Sequence, residues 1–322
     1  MAIAGSSLRD RFEGCLFGLA VGDALGGKFE AQAADAIGAR FPSIELLIAY
    51  PREEIWYTDD TQMAIGVGEA LIERGEIVEE ALCRAFVANY VPSRGYGRGA
   101  RAVLDAMEDG RDYRRVAERH FPGGSFGNGA AMRVGPVGLL FRDDRERLWE
   151  QARLSALPTH LHPLGIEGAQ LLALAVALCS GMERFDRAGF FAGLLAACES
   201  AEYRTKLEEA EQVQTPANLA RLGNRIEALH SVPTAIASFA LTPESFEATV
   251  CNVIFLGGDT DTLAAMAGAL SGAYLGVGRL PSRLVGLLES GPKGRAYIQQ
   301  LAGQLFALYQ RGSSVPGEGT NA

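Results

Sequence analysis

The chain has 322 residues, 48% apolar and 21% charged, with a formal net charge of −9 and a pI of about 5.1. That length buries a substantial core without disulfide or metal staples. The acid excess argues against broad electrostatic binding of nucleic acid or of an anionic membrane.

The N-terminus lacks a basic start followed by an apolar core and cleavage site, so no signal peptide is expected. No run reaches the roughly 18 uninterrupted apolar residues that suggest a membrane span. The five cysteines, Cys15, Cys83, Cys179, Cys198 and Cys251, include no C-x-x-C pair and read as reduced, mostly buried thiols. A monomer in the cytoplasm is expected.

In chain order, Gly14, Gly18, Gly22 and Gly26 recur every four residues, and residues four apart share a helix face. "GDALGGKFE" follows, with Asp23 and Glu30, and then "IELLIAY" (44–50), read as an isolated strand. "YTDDTQM" carries Thr58, Asp59 and Asp60 into the helical pattern of 61–75. Two glycine-rich segments come next, "SRGYGRG" and "GGSFGNGAAMR", then "THLHPLG". Helical periodicity returns over 164–181 and 185–200, with Gly75 and Gly181 expected as C-terminal caps. Residues 199–227 read as a solvated, charged helical region. "GGDTDTL" places Asp259, Asp261 and Thr262 ahead of a small-residue helix that carries Gly268, Gly272 and Gly276.

β-branched runs are short and helical periods dominate, so the fold class is all-α. A single compact multi-helix domain over 11–311 is expected, with an N-terminal extension at 1–10 and a flexible tail at 312–322. A helix-interior glycine costs about 1 kcal/mol relative to alanine. Its repetition predicts very close backbone packing on one face of each glycine-striped helix.

The acidic clusters carry the chemistry. One Asp or Thr ahead of a helix is an ordinary N-cap worth about 1 kcal/mol. Capping explains one oxygen-bearing residue per helix, and Thr-Asp-Asp-Thr and Asp-Thr-Asp-Thr exceed that. With no Lys or Arg adjacent in sequence, a hard divalent cation is the more economical partner than a distant side chain. No Cys or His lies near either cluster, which disfavours zinc. A phosphatase-type D-x-D fits poorly. Leu263 stands two residues after the second Asp, the site comes late in the chain, and no strand–helix alternation follows. Gly123, Gly124, Gly127 and Gly129 permit tight turns whose exposed N–H groups suit phosphate oxygens.

"GCLFGLAVGDALGGKFE", "YTDDTQMA", "GSFGNGAAMRVGPVGLLF", "THLHPLGIEGAQ" and "LGGDTDTLAAMAGALSGAYLG" together resemble the ADP-ribosylglycohydrolase family in order and spacing, from about residue 11 to about 281. "RGYGRGA", "SFGNGAAMR" and "LGNRIEALHSVPTAIASF" resemble the branch that cleaves serine-linked ADP-ribose and poly(ADP-ribose). The resemblance implies a central cleft with a binuclear Mg²⁺ or Mn²⁺ centre held by Thr58, Asp59, Asp60, Asp259, Asp261 and Thr262. Glu30, Asp60 and Asp261 would serve catalysis, with Glu30 arriving on a mobile loop and Asp23 in support. Gly124, Ser125, Gly127 and Asn128 would form the diphosphate loop. Phe121 and Phe126 would face the adenosine or ribose, Gly95 and Gly97 would lie near the adenine, and His160 near the distal part of the substrate. The branch commonly has Tyr where this chain has Phe126, which removes a hydroxyl. His162 is treated as incidental. The reaction implied is hydrolysis at the anomeric carbon of ADP-ribose on a modified protein, its polymer or the O-acetyl ester, through an oxocarbenium-like state. Arginine-linked substrates are the runner-up, and a non-catalytic ADP-ribose-binding member is the alternative class.

Overall fold

A computed structural model describes residues 6–313. The chain opens with α1 (Leu8–Gly26), α2 (Ala34–Arg40), α3 (Ile44–Ala49), α4 (Asp59–Arg74) and α5 (Glu79–Asn89). It continues through α6 (Arg98–Glu108), α7 (Tyr113–His120), α8 (Gly135–Leu140), α9 (Arg145–Ala156) and α10 (Pro163–Gly181). Next come α11 (Arg187–Leu195), α12 (Ala201–Glu211), α13 (Pro216–Leu219) and α14 (Ala228–Leu241). α15 (Phe246–Ile254), α16 (Thr260–Leu275), α17 (Ser282–Leu287) and α18 (Arg295–Ser313) complete the order. Among the described residues the extended pairings are three isolated bridges, Ala33–Gly257, Ile55–Leu288 and Gly127–Glu227. The architecture is all-α, one multi-helix domain. The expected extension falls partly, and the expected tail mostly, outside the described residues.

α1 and α16 form the centre. Both are buried along nearly their whole length, and their glycine stripes face each other. A Cβ on Gly14 would fall 2.3 Å from the Gly272 carbonyl oxygen, and one on Gly22 would fall 2.1 Å from that of Ala264. Gly26 is the last residue of α1 and sits against the Thr260 carbonyl. Gly276 lies just past α16 with φ +79°, against Ser6 and Asp10 at the start of α1. The backbones therefore meet where any side chain would hold them apart, and the first turn of α16 is pinned beside the end of α1.

The strand expected at 44–50 is α3. Ser43 caps it by accepting from Leu46 N, and Glu45 occupies its first turn. Leu47 is buried, Ile44 and Ile48 pack beside it, and Leu46 is exposed. That is a three-to-four spacing, and among the described residues no neighbouring strand supplies the backbone partners an alternating reading requires. Gly75 is the expected left-handed cap of α4 (φ +77°). Gly181 is instead the last helical residue of α10, which Met182 caps in an extended conformation. The charged region 199–227 is helical only in α12 and the single turn of α13, and the rest is a loop that reaches the site.

α10 is long and apolar enough to cross a membrane (mean hydropathy 1.6), and 78% of that window is buried inside the protein. It packs on α8, α9, α14 and α16, so its apolarity is that of a core helix.

Candidate active site

Two acidic turns stand at the starts of α4 and α16. In the first, Thr58 caps α4 and its hydroxyl donates to Asp60 Oδ2 at 3.1 Å. Asp23, fully buried on α1, holds this turn from below. It accepts from Thr58 N (2.9 Å), Thr61 N (3.0 Å) and the Thr61 hydroxyl (2.5 Å). In the second, the Thr260 hydroxyl donates to Gly26 O at 2.9 Å, Asp259 N donates to Asn224 O at 3.1 Å, and Thr262 N donates to Asp261 Oδ1 at 2.9 Å. The glycine stripe brings the two turns together: a Cβ on Gly27 would lie 3.0 Å from Thr58 Cγ2 and 3.9 Å from Asp261 Cβ.

Glu30 enters from the turn after α1. Its carboxylate is exposed, and an oxygen of each of Glu30, Asp259 and Asp261 falls within 4.8 Å of the others. The next residue, Ala31, has φ +61°, and its N–H donates to Gly258 O at 2.8 Å, while Gly258 N donates to Gln32 O. A non-glycine residue in that region costs roughly 1–2 kcal/mol. The bonds to the 257–258 loop hold the Glu30 turn in place against that cost.

One cavity of about 440 Å³ collects most of the residues singled out by sequence. Glu30, Asp59, Asp60, Asp259, Asp261 and Thr262 line it together with Gly95, Gly97, Phe121, Ser125, Gly127, Asn128 and His160. Asn128 ties the glycine loop to the acids, donating from Nδ2 to Asp259 Oδ2 at 2.6 Å. Phe121 sets the edge of its ring against the start of α6, where a Cβ on Gly99 would fall 2.2 Å from Cε2. Gly95, at φ +99°, brings backbone close to Asp59, 3.4 Å from Oδ1 to where its Cβ would be.

Three of the expected residues lie elsewhere. Thr58 lines a neighbouring cavity with Trp56, Tyr57 and Arg94, which Gly95 also borders. Gly124, at φ +91°, makes the turn that seats the loop on the backbone of 161–162. Phe126 is 50% exposed outside the cavity, its ring edge-on to His162 at 5.6 Å. His162 itself caps α10, accepting from Leu164 N.

Sequence reasoning passed over several residues that shape the site. Arg133, Thr159, Arg98, Met63 and Ile226 line the cavity. Asn224 donates to Leu256 O and Gly257 O, and Ile226 O accepts from Asn128 N, so one loop clips both the 257–259 turn and the glycine loop. "LGNRIEALHS" carried a family resemblance, which was the signal available for that loop.

The electrostatics are those of an acid cluster with no ion-paired cation among the described residues. Burial, then the charges of Asp23, Glu30 and Asp259, pushes Asp59 up to about 7. Burial, then Asp259 and Glu30, pushes Asp261 up to about 9. Asp60 is pushed well above its usual range for the same reasons, and Asp23 rises to about 6 through burial despite its hydrogen bonds. Among the described residues none of these carboxylates, nor Glu30 or Asp259, forms an ion pair. Asp60 Oδ1 is buried with no hydrogen-bond partner. A helix start favours a nearby carboxylate by only about 0.3–1 kcal/mol, too little to offset several buried like charges. The donors are all oxygens, and an orphaned carboxylate oxygen sits among them, so the set fits a hard divalent cation such as Mg²⁺ or Mn²⁺. The tight cluster comprises Glu30, Asp259 and Asp261.

An all-α domain thus gathers buried acids and a glycine loop round one cavity. The chain belongs to the ADP-ribosylglycohydrolase family, whose model matches residues 4–314. It is similar to human ADP-ribosylhydrolase ARH3, 34% identical over 94% of each chain. The zebrafish (Danio rerio) ADP-ribosylhydrolase ARH3 is also 34% identical, over 95% of this chain and 93% of that protein. YegU, an uncharacterized protein of Escherichia coli K12, is 30% identical over 87% and 92%. A solved structure described as an ADP-ribosylglycohydrolase-related protein complex superposes with a TM-score of 0.72 at 25% identity, covering 94% of this chain and 99% of that one.

Proposed function

We propose that this protein is a metal-dependent hydrolase that cleaves the glycosidic bond at the anomeric carbon of ADP-ribose. Serine-linked ADP-ribose on modified proteins is its leading substrate class, and the polymer and the O-acetyl ester share the same chemistry. The observation that carries the reading is the opening of the Glu30–Asp259–Asp261 cluster into the same cavity as the glycine loop. The similarity to the ADP-ribosylhydrolases ARH3 supports the reaction class, and the segments "RGYGRGA", "SFGNGAAMR" and "LGNRIEALHSVPTAIASF" carry the resemblance to the serine-type branch.

Thr58, Asp59, Asp60, Asp259, Asp261 and Thr262 would hold two Mg²⁺ or Mn²⁺ ions, with Glu30 beside them. When bound, the ions neutralise the carboxylates, orient ribose hydroxyls and lower the pKa of water. The rest falls to this chain's own groups. Asp23 fixes the Thr58–Thr61 turn through three donors, and Asn128 holds Asp259 in register with the glycine loop. Ser125 and Gly127 line the cavity, and Ser125 Oγ accepts from Gly127 N at 3.2 Å, which leaves the Ser125 hydroxyl proton as a neutral donor suited to a diphosphate without adding net charge. Phe121 offers an apolar face for a flat, ring-bearing group. Glu30, the exposed acid of the cluster, is the carboxylate able to exchange a proton with water or with the leaving oxygen.

Purified protein with Mg²⁺ or Mn²⁺, offered serine-, arginine- and O-acetyl-linked ADP-ribose and the polymer, tests the reading. Turnover of the serine linkage, lost in Asp261→Asn and on chelation, is expected. Full activity after thorough chelation overturns the metal dependence. Turnover confined to the arginine linkage moves the protein to the other branch, and binding of ADP-ribose without turnover on any linkage makes it a binding module.

A further inference from the structure

Arg133 is wholly buried, and its guanidinium lies 4.6 Å over the Phe86 ring. Among the described residues it has no carboxylate partner. Nη2 donates to Ser155 O at 2.8 Å and to the Thr159 hydroxyl at 2.9 Å, Nη1 reaches only Met63 Sδ, and Nε is sealed without a partner. The Thr159 oxygen lies 2.7 Å from His160 Nδ1. A guanidinium is donor-only, so it makes the Thr159 oxygen an acceptor. The single hydroxyl proton has no other acceptor among the described residues. Directed at His160 Nδ1, the acceptor the described residues offer it, that proton would meet a lone pair there.

We infer that Arg133 and Thr159 act as positioning residues that fix His160 in one tautomer, proton on Nε2, so that this N–H is a donor aimed at the ligand of the cavity. The far edge of the ring faces the glycine loop. A Cβ on Gly127 would lie 3.6 Å from Nε2 and one on Gly129 3.4 Å from it, and His160 lines the cavity with both. Nε2 has no partner within the described residues and is not among the sealed polar atoms. Burial first, then the Arg133 charge, pushes the imidazole down to about 3, which keeps it neutral and leaves the tautomer as its one variable. The ring therefore offers a single uncharged donor beside the glycine loop, whose Ser125 Oγ already accepts from Gly127 N. The identity of the ligand rests on the function proposed above, while the tautomer does not.

Imidazole ¹⁵N spectra of the full chain test this. There are four histidines, and His160→Gln assigns the signal. The expected pattern is a pyridine-like Nδ1 and a pyrrole-like Nε2, unchanged between about pH 5 and 8. Thr159→Val removes the hydroxyl with little change of shape. It should mix or invert the tautomers and weaken ADP-ribose binding about tenfold, the worth of one hydrogen bond to a ligand. Thr159→Ser should restore both. A proton on Nδ1 in the natural protein, an imidazolium at neutral pH, or a wild-type tautomer in Thr159→Val overturns the relay. If the tautomer responds as expected while ADP-ribose never binds, the relay stands and the substrate reading fails.

Discussion

A Cβ on Gly18 would fall 2.2 Å from the carbonyl oxygen of Gly268, and a Cβ on Gly268 would fall 2.2 Å from that of Gly18. The contact is backbone on backbone in both directions, so no side-chain rotation relieves it. Alanine gains about 1 kcal/mol of helix propensity, but forcing apart two packed helices costs roughly 1–3 kcal/mol or more. Gly18→Ala and Gly268→Ala should therefore destabilise by about 2 kcal/mol in urea titrations, and lower metal affinity as the acidic turns separate. Gly38, in α2, has nothing within 4 Å of its missing Cβ. Gly38→Ala is the control, expected to raise stability by about 0.5–1 kcal/mol. Equal effects in the three variants would mean that the stripe is not what sets the helix spacing.

Much of this geometry was legible in the sequence because it is local or periodic. A four-residue glycine repeat states a helix face, and Thr-Asp-Asp-Thr states an oxygen surplus that capping does not absorb. What stayed hidden depends on contacts distant in sequence. Ile44–Ala49 is rich in aliphatic residues and reads as a strand until the Ser43 cap and the absence of a partner strand are known. Phe126 and Phe121 look alike in sequence. Their fates part because Phe121 finds Gly99 while Phe126 finds His162. Asn224 and Ile226 lie in a charged stretch with no motif of their own, and only the tertiary fold lays that loop across the two site loops.

Asp23 is not among the residues lining the cavity but accepts from three donors of the turn that presents Asp59 and Asp60. Asp23→Asn keeps the volume and removes part of the acceptor capacity, turning an amide N–H₂ toward Thr58 N or Thr61. Outer partners of this kind are worth roughly 10–100-fold in metal affinity. Calorimetric titration with Mn²⁺ should show a loss in that range while the helical content stays unchanged. Wild-type affinity in Asp23→Asn would show that the turn holds itself.

The carboxylates give the chelated protein a particular pH dependence. Asp23, Asp59 and Asp261 are raised in the fold to about 6, 7 and 9, so the folded state keeps protons that the unfolded chain has already released. Stability then falls as pH rises, from near the ordinary carboxylate range of about 4 up through these values. Thermal melts in chelator should show a falling Tm from about pH 5 to about 9, and added Mg²⁺ or Mn²⁺ should remove most of the decline. Asp261→Asn deletes one buried like charge. It should melt higher than the natural protein in chelator at the alkaline end and respond least to added metal, a gain in stability bought with function. A chelated protein whose Tm climbs over this window would contradict the uncompensated cluster.

His160 sets the opposite slope at the acid end. The fold lowers it from 6.5 to about 3, mainly by burying it and secondarily through the Arg133 charge. Between those values the unfolded chain binds a proton that the folded protein refuses. The stability His160 contributes is thus complete above about 6.5 and is lost as pH falls toward 3. His160→Gln cannot take up that proton in either state. The difference in unfolding free energy between the natural protein and His160→Gln, followed in urea across the acid range, should change with a slope approaching one proton per molecule. A difference that stays flat with pH would mean that the imidazole charges freely inside the fold, and that its surroundings are more open to water than the Arg133–Thr159–His160 packing implies.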